Sequence, residues 1–312
     1  MTTGTLILSF DCEGKWGIAD SPMSRLGFIT HETLRKAYRT ILDLHKKYHV
    51  QSTFAFVAAL CMRSSDLKDW LNTTRTLEHQ GKNWLAPAIN QISAGITEGW
   101  CDEALSRMIR DEGDHELCSH GGTHLPYSEG STPIEAVLSD ISLTQQVFSQ
   151  LSIPMENLIF PRNIIGFQEL LANAGYLGYR NIDSWETKSG KSGKLSRYAA
   201  EFFPFDRPSL PTGHANKDPS GLSVIPAAKF LNAALGARKL VPKSMTNFRI
   251  ESLLKFAIHN NRVVHFYSHP HNFITDPTLS EKLDYMLRIA TQHRDQGNLN
   301  ILTMNQWRAA HE

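Results

Sequence analysis

The sequence TLILSFDCEG, residues 5–14, begins as an apolar run and becomes charged at Asp11, which is typical of a buried β-strand that leads into a loop. The next segment predicts a helix over His31–Tyr48, because apolar side chains recur there at helical spacing and Thr30 offers an N-cap oxygen. The same alternation of strand and helix continues along the chain. Further strands are predicted at 52–59, 115–119, 158–160, 177–179, 263–267 and 300–303.

This alternation predicts an α/β protein with a parallel sheet, and apolar strands such as 53–59 indicate burial on both faces. A closed or nearly closed barrel fits the pattern better than an open sheet, although spacing alone does not choose between them. The chain has no internal repeat and no low-complexity tract. We therefore expect one domain over residues 1–312.

Residues 185–245 interrupt the pattern. This basic insertion contains ten Lys and Arg residues against four acidic ones, and its stretch near 226–240 is helix-like. A long irregular insertion in a compact domain is usually functional. Two interpretations stay open: a solvated surface elaboration, or a basic lid over an anionic substrate.

Composition excludes several classes of protein. Thirty-two basic residues nearly balance 31 acidic ones, so we expect no nucleic-acid partner. The longest apolar run, 54–62, is too short to cross a bilayer, so no membrane span is expected. The start lacks the pattern of a signal peptide, and the four cysteines form no CxxC pair. These features predict a cytoplasmic protein with reduced thiols.

Two acids follow the first strand. Side chains alternate across a strand, so Asp11 and Glu13 are expected on one face and Cys12 on the other. Two converging carboxylates are costly unless a positive group lies between them, and a metal ion would serve. The alternative is a pair of solvated loop acids.

The segment HGGTH after the third strand places His120 and His124 four residues apart in a glycine-rich turn. Two imidazoles and a carboxylate from Asp11 or Glu13 would form an open site for one divalent metal, with Zn²⁺ as the expected ion. Nitrogen and oxygen ligands also suit other first-row metals.

Three more histidines end a later strand. His265 and His269 lie about 13 Å apart along an extended chain, so one metal cannot bind both. His269 is the candidate proton donor, whereas His265 is predicted to be a core residue and His271 a loop residue. Arg162, in the segment FPRN, could hold a carboxylate through two hydrogen bonds or could be an ordinary surface arginine.

Taken in order, five segments resemble the NodB-type polysaccharide deacetylases, carbohydrate esterase family four. They are SFDCEG, SHGGTH, FPRN, GYLGYRNIDSW and HFYSHPHNF. The resemblance extends from about residue 5 to residue 307. It implies a distorted (β/α)7 barrel that hydrolyses N-acyl groups, mostly of amino sugars, with one divalent metal.

The resemblance also implies roles for individual residues. The implied metal ligands are Glu13, His120 and His124. The implied general base is Asp11, oriented by Arg162, and the implied general acid is His269. Asp183 or Trp185 corresponds to the region of the family's fourth motif.

The chain departs from the family pattern at two places. Its acids are separated by one residue, as in a subgroup with a D-x-E motif, which leaves open whether Asp11 or Glu13 binds the metal. In addition, Pro161 precedes Arg162, whereas the family usually places proline after the arginine.

The resulting hypothesis is metal-dependent hydrolysis of an N-acyl group, N-acetyl in the first instance, from an amino sugar of a surface polysaccharide or its precursor. Trp16, Tyr127 and Trp185 could stack on a sugar ring or could belong to the core. Two other functions stay open: a metal-dependent amidase for small non-sugar amides, and a carbohydrate-binding pseudoenzyme.

Overall fold

The structure is a computed structural model that describes residues 3–21, 26–74, 76–183, 198–199, 202, 207 and 210–312. Within these ranges the strands are β1 (Gly4–Cys12), β2 (Thr53–Phe56), β3 (Glu78–His79), β4 (Lys82–Asn83), β5 (Glu116–Ser119), β6 (Asn157–Leu158), β7 (Gly178–Arg180), β8 (Asn216–Lys217), β9 (Ser223–Ile225), β10 (Ala228–Phe230), β11 (Val263–Ser268) and β12 (Leu299–Leu302).

The α-helices of the same ranges cover the outside of the sheet. They are α1 (His31–Tyr48), α2 (Ser64–Thr74), α3 (Ala86–Ser93), α4 (Ala104–Asp111), α5 (Ile134–Leu151), α6 (Gln168–Asn173), α7 (Lys243–His259), α8 (Asn272–Thr275), α9 (Thr278–Asp295) and α10 (Met304–Ala309). The predicted bounds of α1 are confirmed, and its cap forms as expected, since the backbone N–H of Thr33 donates to Thr30 Oγ1 at 3.2 Å.

The main sheet has the order β10-β11-β1-β2-β5-β6-β7-β9-β8, and β12 also pairs with β1. Its strand pairs are parallel except for β8 with β9. All seven strands predicted from the sequence are present in this sheet. The predicted α/β class is therefore confirmed.

One chain segment links the two ends of the sheet. β9 pairs with β7 at one end, and β10, which begins three residues after Ile225, pairs with β11 at the other. The polypeptide thus bridges the gap of a distorted barrel. This part of the basic insertion belongs to the sheet itself.

The predicted helix-like stretch at 226–240 is wrong. The structure forms β10 and a short 3-10 helix at Gly236–Leu240 instead. Pairing with β11 satisfies the backbone of residues 228–230 and overrides their local preference, as long-range contacts often do for short segments.

The two faces of β1 explain where the site lies. Leu6, Leu8 and Phe10 pack in the large core beneath the helices, whereas Ile7 packs in a second cluster inside the barrel. Alternation places Asp11 on the same inner face as Ile7. The interior therefore changes from apolar to polar toward the carboxyl ends of the strands. Among the described residues, no helix is both long and apolar enough to span a bilayer.

Candidate metal centre

The end of β1 brings two carboxylates into the barrel mouth, as the alternation predicted. Asp11 is 2% exposed and Glu13 is 6% exposed, and both line one cavity. Gly17 makes room for the second acid, because a Cβ atom at this position would lie 1.7 Å from Glu13 Oε2. A side chain at residue 17 would displace the carboxylate.

The HGGTH loop brings two imidazoles to that carboxylate. His120 Nδ1 lies 2.7 Å from the backbone oxygen of Ile159 and donates to it, which leaves Nε2 facing Glu13 Oε1 at 3.1 Å. His124 Nε2 lies 3.0 Å from the same oxygen. The backbone of His124 has φ 60°, a left-handed conformation that is strained for this residue and is common at functional sites.

Asp140, on α5, holds the HGGTH loop in place through hydrogen bonds. Its carboxylate accepts hydrogen bonds from the backbone N–H groups of Gly122 (2.7 Å) and Thr123 (2.8 Å) and from the hydroxyl groups of Thr123 (2.6 Å) and Tyr127 (2.9 Å). Sequence reasoning did not find Asp140. A signal was present, because this acid lies on the apolar face of α5.

The residues Glu13, His120 and His124 fit a divalent cation. One donor atom from each lies within 4.8 Å of the others, and two nitrogens with one carboxylate form a common set of zinc ligands. His124 is 1% exposed, its Nε2 lies 3.0 Å from Glu13 Oε1 without the geometry of a good hydrogen bond, and its Nδ1 has no hydrogen-bond partner among the described residues. A buried imidazole nitrogen without a well-formed hydrogen bond is costly, and a metal bound at Nε2 would satisfy that nitrogen.

Electrostatics supports the same assignment. Burial alone would raise the pKa of Glu13, but the charge of His269, followed by contributions from His124 and a hydrogen bond from His120, holds it well below its usual range. Burial lowers the pKa of His124, and the carboxylate of Glu13 offsets only part of this effect. The cluster therefore contains an ionised carboxylate and a neutral imidazole, which are the forms that bind metals.

Asp11 has a different partner from the one predicted. Arg180, at the end of β7, donates from Nη1 and Nη2 to its two carboxylate oxygens at 2.8 Å each. The same guanidinium donates to Asn163 Oδ1 at 3.0 Å and lies 4.3 Å from the ring centre of Tyr267. Burial would raise the pKa of Asp11, but the charge of Arg180 keeps it below its usual range.

The expected contact between Arg162 and Asp11 is therefore wrong. Arg162 has a left-handed backbone, with φ 58°, and its Nη2 donates to Asp20 Oδ1 at 2.8 Å. The neighbouring Asn163 turns inward instead and supports Arg180. Arg180 lies in the segment GYLGYRNIDSW, and its signal was a charged residue that ends an apolar strand.

His269 lies on the other side of the acids. Its Nε2 is 3.4 Å from Glu13 Oε1 and 4.0 Å from Asp11 Oδ2. Burial would lower the pKa of His269, but these two carboxylates raise it above the usual value. The imidazole can therefore carry a proton near neutral pH.

The other two histidines of this strand end differ from each other. His265 is fully buried between Ser9 Oγ (2.8 Å) and the backbone oxygen of Pro226 (2.9 Å), so the prediction of a core residue is confirmed. His271 is 7% exposed, and its ring stacks on His269 at 5.1 Å between centres. His271 lies in the turn after β11, so the prediction of a loop residue is confirmed, and its side chain also lines the cavity.

These side chains open into one cavity of about 390 Å³. Its aromatic lining consists of Phe160, Phe230 and Tyr267, none of which was predicted. The expected sugar platforms Trp16 and Tyr127 are core residues with 1% and 0% exposure.

Asp183, from the fourth-motif region, is not among the described residues that line this cavity. Trp185 lies outside the described residues. Asp183 forms a buried ion pair with Lys229 at 2.8 Å.

Three solved structures share this fold over nearly the whole chain. A protein from Mycobacterium smegmatis, provisionally assigned as a polysaccharide deacetylase, is 11% identical, with 99% of this chain and 90% of that chain covered and a TM-score of 0.63. PuuE allantoinase is 13% identical, with 98% and 91% covered and a TM-score of 0.59. A protein from Pseudomonas aeruginosa PAO1 with the same provisional assignment as the first is 13% identical, with 98% and 90% covered and a TM-score of 0.58.

No family model matches the sequence. No curated protein matches it either. The structural likeness confirms the fold that the resemblance implied, a barrel of the polysaccharide-deacetylase type. At 11 to 13% identity it establishes the fold alone.

Proposed function

We propose that the protein is a metal-dependent hydrolase that removes an N-acyl group, N-acetyl in the first instance, from an amino sugar. One observation carries this proposal. Glu13, His120 and His124 converge in the cavity that also contains the Asp11–Arg180 pair and His269. A cluster of metal ligands, a proton acceptor and a proton donor thus face one space, as amide hydrolysis requires.

Glu13, His120 and His124 are the proposed ligands, and Zn²⁺ is the proposed ion. The choice of Glu13 over Asp11 rests on partners: Asp11 is engaged by Arg180, whereas Glu13 Oε1 lies between the two imidazoles. When bound, the metal would polarise the acyl carbonyl and lower the pKa of a water molecule.

Asp11 accepts a proton from the attacking water, whose oxygen forms the new bond to the acyl carbon. Arg180 keeps the carboxylate in one orientation through its two hydrogen bonds. His269 donates a proton to the departing nitrogen as the carbon–nitrogen bond breaks. The products are a free amine and a carboxylic acid, usually acetic acid.

The cavity favours a small substrate. A volume of about 390 Å³ lies at the lower end of the ~300–1,000 Å³ typical of small-molecule pockets. This supports a precursor of one or two sugar units over a long polymer. We also place the reaction in the cytoplasm, because the cysteines are buried free thiols, which suit a reducing compartment.

The test is a substrate panel with purified zinc-loaded protein. N-acetylated hexosamines, their phosphates and short oligosaccharides are incubated with the protein, and mass spectrometry follows the loss of one acetyl group. We expect release from at least one amino sugar, and loss of release in Asp11→Asn and His269→Ala. Full turnover in either variant contradicts the assigned roles.

A second candidate is an amidase for small non-sugar amides. The size of the cavity and the shared fold with an allantoinase favour it. Linear and cyclic ureides in the same panel separate the two functions. Stoichiometric metal with sugar binding but no turnover of any amide would instead identify a carbohydrate-binding pseudoenzyme.

A further inference from the structure

A chain of buried hydrogen bonds leads from Asp11 into the interior of the barrel. Ser9 precedes Asp11 by two residues on β1, so the two side chains share the inner face of the strand. Arg180 Nη1 donates to Asp11 Oδ1 at 2.8 Å and to Ser9 Oγ at 3.2 Å. Ser9 Oγ in turn lies 2.8 Å from His265 Nε2, and His265 Nδ1 lies 2.9 Å from the backbone oxygen of Pro226. The chain thus connects the proposed proton acceptor to a fully buried histidine.

The backbone oxygen of Pro226 sets the direction of the hydrogen bonds in this chain. A carbonyl oxygen accepts hydrogen bonds but cannot donate them, so the proton of a neutral His265 lies on Nδ1 and its Nε2 is an acceptor. Burial lowers the pKa of His265 to about 3, so the ring is neutral near neutral pH. The hydroxyl of Ser9 must then donate to Nε2, which leaves its oxygen lone pairs to accept from Arg180.

Four hydrogen bonds hold the guanidinium group of Arg180. Each of its two Nη atoms carries two N–H groups and donates one of them to the carboxylate of Asp11. The second N–H of Nη1 reaches Ser9 Oγ, and that of Nη2 reaches Asn163 Oδ1 at 3.0 Å. A paired contact fixes the orientation of a carboxylate only when the guanidinium itself is fixed. Ser9 and Asn163 supply that support at the two Nη atoms.

We propose that Ser9 and His265 are positioning residues for the proposed reaction. Together they hold Arg180 in place, and Arg180 keeps the Asp11 carboxylate oriented to accept a proton from water. The proposal rests on the function proposed above and adds two residues to that reaction. Neither is among the described residues that line the cavity, so their influence on the substrate passes through Arg180.

The protein contains a second histidine–serine pair that serves as an internal control. His45 Nδ1 lies 2.7 Å from the backbone oxygen of Ile41, and His45 Nε2 lies 2.7 Å from Ser52 Oγ. Both Ser9 and Ser52 are fully buried. Among the described residues, an arginine donates to Ser9 Oγ, whereas none donates to Ser52 Oγ. The two pairs therefore differ in their connection to Arg180.

The experiment compares Ser9→Ala with Ser52→Ala as zinc-loaded proteins. Each change removes one buried hydroxyl and leaves one histidine Nε2 without its donor, so we expect a similar fall in the midpoint of urea unfolding. Acetyl release from the amino sugar that the substrate panel identifies gives kcat and KM. For Ser9→Ala we expect kcat to fall about tenfold or more, with KM and metal content within about twofold of wild type, because the change alters the orientation of Asp11. Ser52→Ala should keep the wild-type kcat.

The histidines give a second comparison. His265→Leu and His45→Leu each remove both ring nitrogens at a buried position. We expect kcat to fall about tenfold or more in His265→Leu and to stay at the wild-type value in His45→Leu. A merely structural histidine would lower stability in both variants and kcat in neither. Equal kcat in Ser9→Ala and Ser52→Ala overturns the proposal, and that comparison remains if either histidine variant does not fold.

A crystal structure of Ser9→Ala tests the same claim without a substrate. We expect the guanidinium of Arg180 to lose at least one of its two hydrogen bonds to Asp11, because one of its N–H groups no longer has an acceptor. A guanidinium that keeps both hydrogen bonds in its wild-type place overturns the proposal.

The outcomes also separate this inference from the proposed function. If wild-type enzyme releases acetate from an amino sugar and Ser9→Ala does so with the same kcat, the positioning role is wrong and the hydrolase assignment stands. If Arg180 is displaced in Ser9→Ala while wild-type enzyme hydrolyses no acyl sugar, Ser9 still positions Asp11 and the proposed function is wrong.

Discussion

The two ends of the barrel each contain a carboxylate beside a cavity, one half-buried and one buried, and the two carboxylates have different partners. At the amino ends of the strands, Glu116 accepts hydrogen bonds from Thr53 Oγ1 (2.6 Å), Asn157 Nδ2 (2.7 Å) and the N–H of Asn305 (2.9 Å). At the carboxyl ends, Glu13 Oε1 lies 3.0 to 3.1 Å from Nε2 of His124 and of His120, and His124 Nδ1 has no hydrogen-bond partner among the described residues.

This difference distinguishes a structural carboxylate from the proposed ligand carboxylate. Burial raises the pKa of Glu116, whereas the imidazoles hold the pKa of Glu13 well below its usual range. The cavities do not distinguish the ends, because they measure about 410 Å³ and about 390 Å³. Convergent potential metal-ligand atoms, rather than cavity size, therefore indicate the functional end.

The largest expected effect comes from a ligand at the carboxyl end. His124→Ala should lower metal affinity by more than ~100-fold and activity by about 10³-fold or more, because it removes one of three protein ligands. Elemental analysis of dialysed protein and an acyl-release assay measure both quantities.

Glu116→Gln is the comparison at the amino end. It keeps a side chain of the same shape within reach of the same groups, so metal content and activity should be retained. The comparison fails if Glu116→Gln loses metal or if His124→Ala retains it at the wild-type level.

Gly17→Ala tests whether the position of the Glu13 carboxylate matters. The added methyl group would lie 1.7 Å from Glu13 Oε2, so the carboxylate must move. We expect activity to fall by about 100-fold, since small displacements of a catalytic group are costly. Gly27→Ala is the control, because a Cβ atom there has no neighbour within 4 Å in the part of the chain that the structure describes. Equal activity in the two variants would show that Glu13 is not a ligand.

Asp140→Asn should have a smaller effect on the metal and a clear effect on stability. The amide –NH₂ group of asparagine would face N–H or O–H groups that donate hydrogen bonds to the carboxylate in the wild type. Because two donors cannot pair, the change should cost about 1–3 kcal/mol of unfolding free energy. Loss of this support for the HGGTH loop should weaken metal binding by about tenfold or more. Urea unfolding and metal titration measure the two effects, with the exposed Asp43→Asn as control. Unchanged metal affinity would limit Asp140 to a structural role.

The smallest effect on activity is expected away from both ends, at His45. Burial lowers the pKa of this histidine from 6.5 to about 3, so below pH 6.5 the unfolded chain binds a proton that the folded protein does not. Stability is therefore retained above pH 6.5 and lost as the pH falls, by about 2 kcal/mol at pH 5.

His45→Gln should reduce this dependence between pH 7 and pH 5, as followed by urea unfolding at several pH values. Burial also lowers the pKa of His265 to about 3. Part of the pH dependence of stability should therefore remain in the variant. An unchanged slope in His45→Gln would contradict the assignment.

Much of the site could be predicted because its residues follow strand ends. Parallel strands bring their carboxyl ends to one rim, so Asp11, His120 and His269 were expected near one another. Alternation along β1 also placed Glu13 beside Asp11. These predictions need only the strand pattern and the residue types.

The rest depended on contacts that no local pattern encodes. Arg162 and Arg180 both follow apolar strands, but Arg180 pairs with Asp11, whereas Arg162 has a left-handed backbone and pairs with Asp20. Residues 228–230 form a strand because β11 is available to pair with them. Tyr127 is a core residue because it donates to Asp140, a contact between distant positions.

The most direct test is a crystal structure of the zinc-loaded protein with anomalous scattering recorded at the zinc edge. We predict one strong anomalous peak within ~2.0–2.2 Å of a Glu13 oxygen and of one nitrogen from each of His120 and His124. A zinc-loaded protein whose peak lies elsewhere, or whose two imidazoles face away from Glu13, would contradict the account.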